Sequence, residues 1–474
     1  MTNVLKHRDR VLLRFEWGEG DRVRLCAVED ANRRFLPIEF GAAAEKGNER
    51  ELESALSRWL TRRTAPMGRH FMRDLMFSLG LNMRDPEFHR KALAFSKGLS
   101  LTDVYWVVPE GFRGTWDACN LYANDFSKSM AEIAFSGRGM LNPQEATTSP
   151  EMTTNGMLPK CWRRVKGNVL LFKGGTGGSS GASTFGLEPY SEFYAAQVAE
   201  ALGFAHVDYG LSMYKRCLCS TCLLFTSEKV GYLPAAGVPD RRAVLSDSRF
   251  AETFLFDALV FNTDRHLGNF GYLVDNDTNE IIGAAPIFDN GYGLFSLADI
   301  QFNDGLNGIE SIRASLHGRH PALFDHWLGF PGATAERLKS AAERLRGFRF
   351  KRHQHYNLPT DRLEAIQRFL QIRVSDILQY GEKADEYIEV ANDGVGVNSK
   401  AERASVGVRQ ETLDPLALQI LWNMRANALV TGRELAVILG VEQRTVERRI
   451  RALREKSLVR HVGEDKSGHW EVLV

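Results

Sequence analysis

Short alternating runs of apolar and polar residues open the chain. RVLLRFEW, RVRLCAVE and RFLPIEF, all within residues 1–40, are broken by glycines and charges. That two-residue period predicts antiparallel strands with one buried face. Over residues 50–97 the period lengthens. ERELESALSRWLTRR and GRHFMRDLMFSLGL carry apolar residues three and four apart, which predicts helices. LTDVYWVVPEGF returns to strand character, and DFSKSMAEIAFSG predicts a short helix opened by Asp or Ser.

From about residue 150 the pattern sharpens. KCWRRVKGNVLLFKGG predicts two strands joined at a Lys-Gly-Asn turn. SEFYAAQVAEALGF predicts an amphipathic helix with Ser191 as its N-cap. SRFAETFLFDALVFNTDRH predicts an apolar helix that runs into a polar string, and further helices are expected over 319–330, 333–347 and 359–380. Residues 381–412 are rich in Gly, Ala and charge with little periodicity and read as a linker. The last 62 residues, 413–474, predict three helices followed by a hairpin.

Bulk properties narrow the picture. A chain of 474 residues exceeds one ordinary core, so two or three domains are expected. Lys and Arg number 60 against 59 Asp and Glu, so nucleic-acid binding requires a local basic patch. No apolar run of about 18 residues is present, so no membrane helix is expected. The first residues, MTNVLKHRDRVLLRFEW, lack the apolar core of a signal peptide, so the expected location is cytoplasmic. Cys217, Cys219 and Cys222 offer three thiolates without a fourth ligand nearby, and reduced thiols on a hairpin are favoured over a zinc site.

The chemistry concentrates in FNTDRHLGNFG, residues 261–271, and APIFDNGYG, residues 285–293. Phosphoryl transfer needs donors around the phosphates, a cation on them, a metal ion, and a carboxylate facing the nucleophile. Gly156 in TTNGMLPKCW lets backbone N–H groups approach an anion, and Lys160 adds charge. Lys173 ends the apolar strand NVLLFK, where a buried lysine is costly unless it meets an anion, and Glu192 begins the next helix. Asp264 and Asn269 stand five apart, the interval between base and metal-binding Asn in kinase catalytic loops. A strand pair would return Asp289 beside Asn269, where the two oxygens suit Mg²⁺. His266 is read as a structural residue that hydrogen-bonds the loop backbone. VDNDTNE, with Asp275 and Asp277, reads as a solvated turn. A transition-metal site would have one histidine and two carboxylates only, and no Gly-x-Ser-x-Gly supports a hydrolase triad.

Asn262, Asp264, His266, Asn269 and the later Asp289 together resemble the HipA-like kinases and the related CtkA-type proteins, over roughly residues 150–380. The resemblance implies a two-lobed, protein-kinase-like α+β fold over 146–380, with an N-lobe over about 146–230 and a C-lobe over 231–380. Outside it, residues 1–145 read as an N-terminal α/β extension that differs from the family's usual N-terminal subdomain and to which no chemistry is assigned. The resemblance further implies Mg²⁺- and ATP-dependent phosphorylation of Ser or Thr on a protein substrate, with Asp264, Asn269 and Asp289 catalytic and Asn269 and Asp289 holding the metal. Gly156, Lys160, Lys173 and Glu192 would hold nucleotide. Ser227, Glu228 and Val230 would meet adenine at the interlobe hinge. Thr153 and Thr154 occupy the stretch where the family autophosphorylates. A toxin or growth-regulator role follows, with an antitoxin or a second copy of the chain as partner.

Residues 413–474 resemble a winged helix-turn-helix domain, a DNA-binding layout whose third helix enters the major groove. Gln443, Arg444 and Glu447 near the start of that helix are the expected base readers, and Arg448 and Arg451 suit phosphates. A kinase with a fused DNA-binding domain is thus the leading expectation. The alternative is a nucleotide-sensing transcriptional regulator that transfers no phosphate.

Overall fold

The computed structural model describes residues 2–46, 48–142, 148–176, 186–262, 264–296, 332–375, 420, 424, 431–439, 443–455, 458–462 and 469–472. The chain forms two compact units, Met1–Glu389 and Val390–Val474. Residues 1–145 and the expected lobes over 146–380 all lie in the first unit. The expected linker and the helix over 319–330 lie outside the described residues.

Strands β1 (Thr2–His7), β2 (Arg10–Trp17) and β3 (Val23–Val28) form where the alternation predicts them. With β4 (Tyr105–Pro109) they make a four-stranded sheet in the order β3-β2-β1-β4. Leu5, Leu13 and Phe15 pack on Leu52, Leu56 and Trp59 of the helix Glu49–Arg62. Asn48 caps that helix, its side chain accepting from the Glu51 N–H. RFLPIEF is not a strand. It folds as two 3₁₀ turns, Asp30–Phe35 and Ile38–Phe40, on either side of Pro37, which has no N–H to give a ladder.

The second sheet, in the order β5-β6-β8-β7, comprises β5 (Lys160–Val165), β6 (Asn168–Gly174), β7 (Gly210–Tyr214) and β8 (Cys217–Leu223). Lys166 and Gly167 both take positive φ, 50° and 83°, as a tight two-residue hairpin requires. The helix Glu188–Leu202 follows. It starts three residues before the expected Ser191, with Pro189 in its first turn. Ser191 is therefore inside the helix, and its hydroxyl bonds the Asn290 and Gly293 carbonyls at 2.7 and 2.8 Å.

A third sheet, β11-β10-β9, is built from β9 (Val230–Pro234), β10 (Gly271–Asp275) and β11 (Glu280–Ala284). Asp275 caps its hairpin turn by accepting from the Asp277 and Thr278 N–H groups. Below it, the helices Glu188–Leu202, Ala251–Val260, Ala335–Leu345 and 360–375 bury one core that includes Leu202, Leu259, Leu338, Leu345 and Leu370.

In the second unit the helices Gly432–Leu439 and Gln443–Glu455 precede strands β12 (Val459–Val462) and β13 (His469–Val472), which pair antiparallel. Val446, Ile450 and Leu453 line the inner face of the longer helix against Leu435, Ile420 and Val459. Of the first expected helix only Ile420 and Met424 are described.

Candidate active site

The end of β6 and the start of the helix Glu188–Leu202 bring the predicted pair together. Lys173 Nζ donates to Glu192 Oε1 at 2.6 Å and also binds Asp289 Oδ1. Glu192 is fully buried, and its other oxygen accepts from the Asn290 N–H at 2.7 Å. Asp289 itself takes a left-handed φ of 56°, a conformation Asp tolerates better than most residues, and its N–H donates to the Tyr209 hydroxyl at 3.2 Å. One buried lysine thus ties a strand, a helix and the loop after β11.

Burial shapes the charges here. It would lower the Lys173 ammonium, but Asp289 and Glu192 outweigh it and raise the group above its ordinary value. Burial would likewise raise the Asp289 carboxyl, yet Lys173 and Lys160 hold it well below the usual carboxylate range. For Glu192, with no exposed atom, burial wins over Lys173 and pushes it up. Lys160 sits opposite Lys173 across the β5–β6 ladder. Its ammonium donates to the Asn155 carbonyl at 3.0 Å and, among the described residues, to no carboxylate. Burial, then the Lys173 charge, pulls it down to about 7.

The helix Ala251–Val260 delivers the catalytic-loop candidate. Phe261 ends it in a left-handed turn, and Asn262 bonds back to Asp257. Asp264 is raised by burial and by nearby Asp289, with His266, Lys173 and Arg265 pulling the other way. Asn269 Nδ2 donates to the Asp264 carbonyl at 3.2 Å, which binds the two ends of the loop together. His266 Nδ1 accepts from the Gly268 N–H at 3.0 Å, so the ring caps the loop.

Arg265 is the residue that sequence reasoning missed. Its guanidinium is buried and makes a two-pronged bond to Asp257, with Nε–Oδ2 and Nη2–Oδ1 both 2.9 Å. It also donates to the carbonyls of Asn269 and Phe288 and to Asn290 Oδ1. One side chain therefore fixes the Asp264 loop relative to the Asp289 loop. The available signal was Asp257, a carboxylate within the apolar helix FLFDALVF, which demands a partner. Glu188 was missed too. It is buried, Oε1 accepts from the Thr176 N–H at 3.1 Å, and Oε2 has no hydrogen-bond partner among the described residues.

Gly156 has φ 93°, and a Cβ there would stand 2.2 Å from Lys160 Nζ, so glycine is required for the lysine to reach Asn155. Thr153 and Thr154 present no idle hydroxyl. Thr153 donates to the Leu99 carbonyl at 2.7 Å and Thr154 to the Pro150 carbonyl at 2.6 Å. Among the described residues, the hydrogen bonds of Ser227, Glu228 and Val230 are local to that string and to the residues packed on it. The Ser227 N–H donates to the Val230 carbonyl, the Val230 N–H to Ser227 Oγ, and the Glu228 carbonyl receives Arg8 and Asn276. Phe225 instead packs on Phe288, beside Leu171 and Cys222.

Cys217 and Cys219 project from one face of β8 and Cys222 from the other, so the three thiols cannot share one tetrahedral ion. Among the described residues no group of three or more His, Cys, Asp or Glu side chains is placed to hold a metal. No helix among them is long and apolar enough to cross a membrane.

No family model matches the chain, and no curated protein does. Solved structures give weak likenesses. A Helicobacter pylori proinflammatory kinase, CtkA, is 16% identical, with 52% of this chain and 95% of that one covered and a TM-score of 0.37. HipA of the Shewanella oneidensis MR-1 toxin–antitoxin system, solved with HipB and operator DNA, is 11% identical, with 81% of this chain and 99% of that one covered and a TM-score of 0.47. At these values the likeness assigns this chain neither activity nor ligand.

Proposed function

We propose that the first unit is an ATP-dependent protein kinase of HipA-like type that phosphorylates Ser or Thr on another protein. The observation that carries this reading is the buried Lys173, held between Glu192 and Asp289. Such a lysine is poised to grip nucleotide phosphates. Lys160 is a second buried ammonium, held on the Asn155 carbonyl, and its donors suit a phosphate oxygen. The oxygens of Asp289 and Asn269 suit Mg²⁺, a hard ion that needs few protein ligands when phosphates and water complete its shell. When bound, it would neutralise charge developing on the phosphates.

The substrate hydroxyl attacks the γ-phosphorus, the bond to the β-bridging oxygen breaks, and ADP departs with that electron pair. Asp264 takes the hydroxyl proton. Its raised affinity for protons, caused by burial, makes it a better acceptor than a surface aspartate. Arg265 holds Asp264 and Asp289 in fixed relation.

The second unit is proposed to be a winged helix that binds DNA. Gln443, Arg444, Glu447, Arg448 and Arg451 are all exposed, and Arg444, Arg448 and Arg451 lie opposite the buried Val446–Ile450–Leu453 stripe. Gln443 Nε2 donates to Glu447 Oε1 at 2.7 Å, which orders two of the side chains expected to read bases. Incubation with Mg²⁺ and ATP tests the kinase reading. ADP release by wild type but not by Asp264→Ala is expected. Nucleotide binding without turnover in either would establish a sensor instead.

A further inference from the structure

Residues 1–145 carry no chemistry that the kinase reading uses, yet one segment of them is threaded against the candidate phosphate loop. Arg69 is 2% exposed, and among the described residues its hydrogen bonds go to backbone carbonyls and to no carboxylate. Its guanidinium donates to three carbonyls of the loop and its flank: Glu151 at 3.0 Å, Thr154 at 3.2 Å and Lys160 at 2.8 Å. Neighbouring backbone repeats the attachment. The Ala65 N–H donates to the Met152 carbonyl at 2.7 Å, and the His70 N–H to the Met157 carbonyl at 3.0 Å. The His70 ring also reaches that carbonyl, and Thr153 ties back to Leu99.

The cost of this arrangement marks it as more than packing. Burial pulls the Arg69 guanidinium down to about 10, with only Glu151 and Cys161 opposing. A guanidinium buried on carbonyls alone is an expensive way to fill space, and an apolar side chain would do it more cheaply. What the fork supplies is geometry, since three carbonyls are held at fixed angles to one rigid plane. The loop so held contains Asn155 and Gly156, which position Lys160 Nζ, and Asn155 lies beside Gly268 of the Asp264 loop.

We propose that the N-terminal region is a built-in brace for the nucleotide site, and that Arg69 is its positioning residue, holding 151–157 in the conformation that accepts phosphate. This rests on the kinase reading. Freed of Arg69, the loop loses three of its anchors, and Lys160 loses the carbonyl that aims it. The brace acts on nucleotide affinity and leaves the proton acceptor untouched.

The test uses the full chain, titrated with ATP and MgCl₂ by calorimetry, alongside hydrogen exchange of residues 151–158. Arg69→Met is expected to weaken ATP binding about tenfold or more, the scale of losing one or more charge-assisted hydrogen bonds. It should speed exchange at 151–158 while strands β1 and β2 keep their protection. KM for ATP should rise with kcat at saturating ATP nearly unchanged, and Arg69→Lys should recover part of the affinity. Should Arg69→Met fail to fold, His70→Ala removes an exposed contact to the same loop and should give a few-fold loss with the same local exchange. Wild-type affinity in the folded variants, or weakened binding with unchanged exchange at 151–158, overturns the brace alone. A wild-type chain that binds no ATP overturns the brace and the kinase reading together.

Discussion

Two arginine-bearing pieces of this chain use the same side chain in opposite ways. Arg265 is buried in the first unit, with every one of its nitrogens on a named oxygen of Asp257, Asn269, Phe288 or Asn290. On the helix Gln443–Glu455 of the second unit, Arg444, Arg448, Arg451 and Arg454 are exposed. A buried fork fixes positions, is hardly screened by salt, and is expensive to remove because its partners are then stranded. An exposed set acts as a field, in which each member contributes a little and salt takes it away. The first arrangement suits chemistry that depends on fractions of an ångström, and the second suits a partner met by charge.

Breaking the buried fork has the largest expected effect. Arg265→Met strands Asp257 and releases both loops, and should cost about 3–5 kcal/mol of stability by urea unfolding. Adding Asp257→Leu should recover much of that stability without restoring turnover. If Arg265→Met unfolds at the wild-type urea concentration, the bracing role is wrong.

Lys160 gives a smaller, pH-dependent effect. Its folded value of about 7 lies below the ordinary 10.5. Between those values the unfolded chain holds more protons than the folded one, so this group's contribution to the stability of the ligand-free protein rises with pH across that window. A bound phosphate reverses the preference, so ATP binding should take up a proton above pH 7, and affinity should fall as pH rises from there. Calorimetry at pH 8 in buffers of different ionisation enthalpy measures this directly. Lys160→Met should abolish the uptake and weaken binding about tenfold. Equal proton uptake in the variant would assign it elsewhere.

The smallest effect belongs to the exposed helix. Arg448→Ala should reduce the slope of log affinity for DNA against log salt by about 0.9, the value for one phosphate contact. An unchanged slope would point to a protein-contact surface instead.

The sequence made the Lys173, Glu192 and Asp289 cluster legible because Lys173 ends a plainly periodic strand, Glu192 lies early in the next helix, Asp289 follows an apolar run, and their charges suit one another. Helix Glu49–Arg62 and the β5–β6 hairpin were legible for the same local reasons. Arg265 was not, although it adjoins Asp264, because its partners lie 4 to 25 positions away on three different segments. Arg69 was hidden further, since its partners are backbone carbonyls, which leave no mark on a sequence. The resemblance implies adenine contacts at Ser227, Glu228 and Val230, and the side-chain partners of that string are equally unmarked in the sequence. In the structure that string closes on itself, and on Arg8, Asn276 and Trp116. Ser191 looks like a cap because it precedes the apolar period, but the helix already begins at Glu188 with Pro189 in its first turn.

In the proposed kinase, Asp264 faces a phosphoryl group held by Lys173. ADP release from ATP with Mg²⁺, compared between wild type and Asp264→Ala at saturating nucleotide, tests it most directly. The expected result is a fall of about 10²–10⁴ in turnover with ATP binding retained, the range for loss of a general base. Equal turnover in both proteins would contradict it.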